Sequence, residues 1–176
     1  MIYGLSGKRG VGKITAAMYL VKKHGFVKVS FAEDLKTMCK HFFPFTEGDL
    51  TMPGKKEAKF KEYDWTPRDF MIHLGEFARF HDPSFWLNKG ISKCKDATKT
   101  YVFDDVRYKN EADAIIQAGG KIIRIDRYEK NNPYGKNLDI PSETELDGYD
   151  KFHYTIHEMW NTSKEELYRQ TEAAIA

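Results

Sequence analysis

The chain has 176 residues and a mass of 20.5 kDa, enough for one domain with a sizeable core. Its 28 basic and 26 acidic residues leave a net charge of +2, which shows no bias towards a nucleic-acid polymer or a membrane surface. Cys39 and Cys94 have no short-range metal spacing and no apolar run approaches the ~20 residues of a membrane span, so a soluble, cytoplasmic protein with reduced thiols is expected. The first element is the short apolar run Ile2-Tyr3-Gly4-Leu5-Ser6, a strand pattern.

That run breaks into Gly7-Lys8-Arg9-Gly10-Val11-Gly12-Lys13-Ile14-Thr15, after which Ala16, Ala17, Met18, Leu20 and Val21 recur at helical spacing. Strand, glycine-rich turn and helix form the context of a phosphate-binding loop. The glycines let successive N–H groups point inward, the helix start adds unpaired donors, and Lys13 adds a full positive charge. Gly7, Lys8, Gly10, Val11, Gly12, Lys13, Ile14 and Thr15 are therefore expected to cradle a nucleoside triphosphate. The position after Lys13 holds Ile14, which cannot ligate Mg²⁺, and a hydroxyl arrives one residue later at Thr15. Gly-Lys-x-Thr resembles the arrangement in nucleoside monophosphate kinases more than that in GTPases or motor ATPases.

Further along, Gly25 closes the first helix and Phe26–Phe31 reads as a second strand. From Ala32 to Phe43 the apolar positions Leu35, Met38, Cys39 and Phe42 share one helical face. Pro44, Gly48, Pro53 and Gly54 punctuate residues 44–66, which read as a mobile surface excursion with a solvated run at Lys55–Lys61. Thr66-Pro67 starts another helix through Phe70, Leu74 and Ala78, with proline at its first position, and a further helix is expected from Ser84 to Lys95. Tyr101–Phe103 is a buried strand ending in Asp104-Asp105; Asn110 caps a helix to Ala118; Gly119-Gly120 stops it; Lys121–Ile125 is the next strand. Phe152–Ile156 is a weaker last strand, and Thr162-Ser163 opens a final helix with Glu166 in capping-box position. Strands alternating with helices predict an α/β fold, a mostly parallel sheet of about five strands flanked by helices.

In such sheets ligands lie beyond the carboxyl ends of the strands. Those ends carry the phosphate loop, then Glu33-Asp34-Leu35-Lys36, then Asp104-Asp105-Val106-Arg107, then Asp126-Arg127. Aspartates there suit Mg²⁺ or its waters, although a turn or capping role for Asp104 is the rival reading. Arg107 is placed to grip an anionic phosphate with its planar fork.

Across nearly the whole chain these segments resemble the deoxynucleoside monophosphate kinases of the bacteriophage type, within the P-loop superfamily. The likeness rests on Ser6–Thr15, Phe31–Lys36, Thr66-Pro67-Arg68 through Gly75, Glu76 and Trp86, Asp105–Glu111, Gly119–Ile125, and Ser142-Glu143 with Glu145 and Asp147 after it. It implies a P-loop NTPase fold and a single kinase domain, with a monophosphate-binding helical region at 32–98 and a lid-like segment at 126–141. The implied reaction moves the γ-phosphoryl group of ATP, with Mg²⁺, to a deoxynucleoside 5′-monophosphate. Lys13, Arg9, Arg107 and Arg127 are the implied catalytic residues. Arg9, Lys36, Arg68, Gly75, Glu76, Trp86, Asp105, Arg107 and Glu111 would bind the acceptor, and Thr15, Asp104 and Asp105 the metal, directly or through water. The implied partner is the monophosphate substrate and no nucleic-acid polymer or membrane, with a homodimer left open, in the host cytoplasm if the chain is viral.

Several residues keep a plainer reading. Trp86 and Phe85 serve equally well as core, Arg79 as a surface partner of Glu76, and Lys130 and Lys136 as solvated side chains. His153-x3-His157 lies on a strand pattern that separates the two rings and is not read as a metal pair. Two other functions also stay open: a P-loop kinase of another small molecule, such as a coenzyme or sugar precursor, and a non-catalytic nucleotide-binding module, for which Ile14 is the best argument.

Overall fold

Ile2–Ser6 forms strand β1, buried from Tyr3 onward, at the centre of a parallel sheet in a computed structural model that describes residues 1–60, 63–128, 139–159 and 162–176. Helix α1 (Lys13–His24) leads to β2 (Val27–Val29), and later come β3 (Tyr101–Val106), α7 (Lys109–Gln117), β4 (Lys121–Tyr128), α8 (Pro141–Thr144), β5 (Tyr154–Met159) and α9 (Lys164–Ile175). Between β2 and β3 run five helices: α2 (Ala32–Phe42), α3 (Glu47–Thr51), α4 (Pro53–Lys56), α5 (Pro67–His81) and α6 (Phe85–Ile91). Among the described residues the sheet has five strands in the order β2-β3-β1-β4-β5, and every pairing is parallel, as the alternation of strands and helices predicts.

The chain divides into two compact units, Met1–Ser30 with Lys93–Ala176, and Phe31–Ser92. In the sheet unit, side-chain alternation sorts the two faces of β1. Tyr3 and Leu5 join Ala16, Ala17 and Leu20 of α1, Ile123, Ile125 and Ile156 of the neighbouring strands, and Leu167 of α9 in one apolar cluster. Gly4 faces the other way, where a Cβ would stand 2.9 Å or less from Ile122, Val106 and Ile115 of α7. The connection after β1 runs to one side of the sheet and that after β3 to the other, so the carboxyl ends of β1 and β3 flank the switch point.

One irregularity lies at that point. Gly4 pairs with Phe103 and Ser6 with Val106, so Asp104 and Asp105 together oppose Leu5 alone. This is a β-bulge, which re-aims side chains at a strand end.

The helical unit has its own core of Leu35, Cys39, Phe45, Leu50 and Trp86, with Phe43, Phe60, Phe70, Met71 and Leu74 packed against it. Residues 44–66 are therefore not a mobile excursion in their described part. The Thr46 and Asp49 capping box starts α3, and Phe45 packs edge-on against Phe60 at 4.6 Å, so aromatic burial outweighs the proline and glycine punctuation. Thr66 and Asp69 form a second capping box at the head of α5, with Pro67 at the first position as expected.

Other boundaries also move. β2 stops at Val29 because it pairs only with β3, over Val27 to Val29, before the chain turns into α2. Helix α6 ends at Ile91, just after the weak helix former Gly90. Asn110 lies inside α7, whose cap is supplied by Glu111: its carboxylate accepts the N–H groups of Arg107 at 2.8 Å and Tyr108 at 3.1 Å. Strand β4 runs on through Asp126 and Arg127 to Tyr128, paired with β5, so the lid-like segment cannot begin at 126. The remainder of that segment over 129–138, including Lys130 and Lys136, lies outside the described residues. His153 precedes β5, and its Nδ1 accepts the amide of Ile122 at 3.2 Å. Ser163 caps α9, its hydroxyl accepting the Glu166 amide at 3.2 Å.

Gly120 sets a packing limit beneath β1: a Cβ there would stand 2.5 Å from the Ile2 carbonyl oxygen and 2.8 Å from that of Ile115. Backbone atoms yield little, so Gly120→Ala should cost about 1–3 kcal/mol in urea denaturation. Gly148→Ala, whose Cβ meets nothing within 4 Å, should stay within about 0.5 kcal/mol.

Candidate active site

The loop after β1 owes its path to glycine. Gly7 has φ 141°, and a Cβ on it would lie 2.3 Å from the Ile125 carbonyl oxygen. Gly12, the residue before α1, has φ 107°. Both conformations lie where side chains are strained, and they bend the loop so that α1 points its N-terminus at whatever the loop encloses.

Lys13 is buried, and its ammonium donates to the carbonyls of Gly7 at 2.6 Å and Lys8 at 2.8 Å. Burial, reinforced by Arg107, holds its pKa well below the ordinary lysine value, while Glu143 and Asp105 push it up and Arg124 pushes it down. A phosphate arriving here would supply negative charge and acceptor oxygens to a cation that now has two neutral carbonyls. Ile14 is 64% exposed on the first turn of α1, and Thr15 beside it is half-buried. Arg127 comes close as well: its Nη2 would stand 4.0 Å from a Cβ on Gly12, which places it at the loop from the end of β4.

The bulge in β3 separates the two aspartates. Asp105 accepts the Ser30 hydroxyl at 2.6 Å and lies close enough to Lys13 to raise its pKa. Asp104 is buried and paired with Lys28 at 3.1 Å. This ion pair gives Asp104 a structural role in the sheet. Metal ligation fits Asp105 and Thr15 better, because Mg²⁺ usually keeps several waters and takes only one or two protein ligands alongside phosphate oxygens.

Glu143 is the residue that sequence reasoning missed. It is buried, accepts the Arg9 amide at 2.8 Å and pairs with Arg107 Nη1 at 2.7 Å. The Ser142 carbonyl accepts the same nitrogen at 3.2 Å. Lys8 pairs with Asp147 at 3.0 Å, so the loop is tied twice to the segment that begins with α8. Arg124, also unforeseen, pairs with Asp126 at 2.7 Å and reaches Asp147 at 3.6 Å. Only the acidic composition of residues 143–147 hinted at the two ties to the loop, which span more than a hundred positions in sequence.

The buried Glu111 carboxylate accepts two backbone N–H groups at the start of α7, so it shapes the turn that carries Arg107.

The remaining acceptor candidates belong to the helical unit. Trp86 is only 2% exposed, and its indole N–H donates to the Gly75 carbonyl at 3.1 Å. It is a core residue and not a platform for a base. Gly75 is likewise a packing position in α5, where a Cβ would stand 3.2 Å from Arg79 and 3.5 Å from Leu35. Glu76 pairs with Arg79 at 3.5 Å, as expected of a surface helix pair. Arg68 is held by Glu57, and Lys36 is half-buried on α2. Among the described residues no three His, Cys, Asp or Glu side chains group as metal ligands, and no helix is long and apolar enough to cross a membrane.

A protein of Acanthamoeba polyphaga mimivirus, provisionally named a deoxynucleotide monophosphate kinase, is 33% identical over 192 aligned positions that cover 99% of this chain and 96% of that protein. Among solved structures, a gluconokinase from Sinorhizobium meliloti superposes with a TM-score of 0.50 at 13% identity, covering 98% of this chain and 90% of its own. Shikimate kinase from Aquifex aeolicus gives 0.50 at 15% identity, covering 99% of this chain and 96% of its own. At such identities these two structures speak for the fold alone, which is that of the P-loop kinases. No protein-family model matches the chain.

The position of Trp86 gives a clean test. Trp86→Phe deletes the N–H bonded to Gly75 and should cost about 1–3 kcal/mol of stability in thermal or urea unfolding. Kinetic constants of the folded fraction for a phosphoryl acceptor should be unchanged. A raised acceptor KM at undiminished stability would return the indole to the ligand.

Proposed function

The chain belongs to the deoxynucleotide monophosphate kinase family, and from that premise we propose that it transfers the γ-phosphoryl group of ATP to a deoxynucleoside 5′-monophosphate. The observation that carries the reading is the meeting of Lys13 and Arg107 at the carboxyl ends of β1 and β3, on a loop bent by glycine. Arg107 helps to hold the Lys13 pKa down, and a triphosphate with a second phosphate alongside would bring negative charge to both cations.

An oxygen of the acceptor phosphate forms the new bond to Pγ, and the bond from Pγ to the bridging oxygen of ATP breaks. The products are ADP and the deoxynucleoside diphosphate, with no covalent intermediate on the protein. The site's work is alignment, exclusion of water and neutralisation of the charge that spreads over the transferred oxygens. Lys13 turns from the Gly7 and Lys8 carbonyls to the β- and γ-phosphate oxygens, and the loop amides enclose the β-phosphate. Arg107 offers the acceptor phosphate the part of its guanidinium that Glu143 leaves open. Arg9 and Arg127 balance the charge on the transferred group. Asp105 and Thr15 would hold Mg²⁺, which would supply positive charge against the triphosphate.

A coupled ADP-release assay with dAMP, dCMP, dGMP and dTMP tests the reading, with gluconate and shikimate as acceptors from other kinase classes. Turnover should appear with at least one deoxynucleoside monophosphate and with neither control. Lys13→Ala should lower kcat by about 10²–10³-fold in a chain that still folds cooperatively, since the ammonium stabilises transferred charge. Arg107→Ala should cost about 2–5 kcal/mol in kcat/KM for the monophosphate, the range for breaking a buried charge pair, with ATP affinity little altered. Equal losses for both substrates would place Arg107 on the donor side.

A further inference from the structure

Glu143 stands in a place where a carboxylate is costly. Its side chain is 4% exposed, it lies close enough to Lys13 to affect that residue's charge, and any phosphate in the loop would be repelled by it. Two donors compensate it, and they come from different parts of the sheet unit. One is the backbone N–H of Arg9, inside the phosphate loop, at 2.8 Å. The other is Nη1 of Arg107, just beyond β3, at 2.7 Å.

The Ser142 carbonyl accepts the same Nη1 at 3.2 Å, so the guanidinium is fixed by one corner. Among the described residues Nε and Nη2 of Arg107 have no partner. A planar guanidinium pinned at one nitrogen presents its remaining donors in a fixed direction, the requirement for bidentate recognition of a phosphate. The carboxylate thus joins the loop that would hold the donor nucleotide to the arginine that would hold the acceptor.

We propose that Glu143 is a positioning residue for phosphoryl transfer, holding Arg107 in register with the phosphate loop so that the acceptor phosphate is presented to the γ-phosphate. The proposal rests on the reading above that Arg107 binds the acceptor. Misplacement of a reacting group by about 1 Å can cost about 10²-fold, so a brace of this kind acts on rate and on acceptor binding together. The segment carrying Glu143 has anchors of its own, the buried Leu146 and the Asp147–Lys8 ion pair, so replacing one carboxylate leaves it attached.

The test uses the full chain as wild type, Glu143→Gln, Arg107→Ala and the double variant. ATP affinity is measured calorimetrically with Mg²⁺ and no acceptor, and kcat and KM are measured for the best deoxynucleoside monophosphate. Glu143→Gln should lower acceptor kcat/KM by about 10–100-fold, the range for losing a charge-assisted hydrogen bond. ATP should bind equally or more tightly, because a negative charge has left the loop. In the Arg107→Ala background the same change should cost little more, since Glu143 acts through that arginine. A parallel loss of ATP affinity, or additive losses in the double variant, would make Glu143 a plain brace of the loop and overturn the proposal. Glu143→Asp keeps the charge but is one methylene too short to span both donors. It should show an intermediate acceptor defect, and wild-type behaviour would likewise overturn the proposal. A wild type that phosphorylates no monophosphate would overturn the functional reading and this inference together, whereas an active wild type matched by Glu143→Gln would overturn the inference alone.

Discussion

A buried ammonium organises the sheet unit's active end. Lys13 is enclosed by the turn it terminates, with two carbonyls of that turn as its hydrogen-bond acceptors. Removing a cation from water is expensive unless opposite charge stands close by, and Asp105 and Glu143 stand there. Each carboxylate is in turn tied elsewhere, Asp105 to Ser30 at the exit of β2 and Glu143 to Arg9 and Arg107. The loop, the ends of β2 and β3, and α8 are thereby joined through one charge. Because Lys13 is protonated only against its surroundings, the ligand-free fold carries a penalty at neutral pH, which disappears at pH values above the ordinary lysine pKa. A bound polyphosphate would remove the same penalty, so affinity and folding stability are linked.

What could be read from sequence was what is encoded locally. Gly7, Gly12 and Lys13 announce the loop because backbone reversal and phosphate charge need those residue types within a few positions. Asp105 and Arg107 were legible for a related reason: polar residues at the end of a buried run are thrown out beyond the sheet. Glu143 stood out only as part of an acidic, family-like segment and not as a site residue, because its partners lie 134 and 36 positions away. For Glu111 and Trp86 the residue type alone left the role open, and burial shows that the carboxylate serves two amides and the indole a carbonyl. In residues 44–66 the turn formers were counted and the aromatic pairs were not, although Phe43 and Phe70, centred 3.9 Å apart, hold that stretch against α5.

The helical unit shows a different economy. Its core is rich in rings, and Trp65 stacks on Phe70 at 5.4 Å while remaining 43% exposed. Large flat side chains enclose a small volume with few residues, which suits a unit of five short or medium helices. Capping boxes at Thr46 and Thr66 do the rest, since helices of this length gain little from propensity alone.

The extra residue in β3 sets the phase of the strand's tip. Phe103 and Val106 both oppose positions on the same face of β1, although they stand three positions apart. An uninterrupted strand would give them opposite faces. The bulge absorbs the odd residue, so Val106 keeps the face that Phe103 has and Arg107 follows in that phase. Loss of one residue at 104–105 would restore regular pleating and leave the strand's tip facing as it does now.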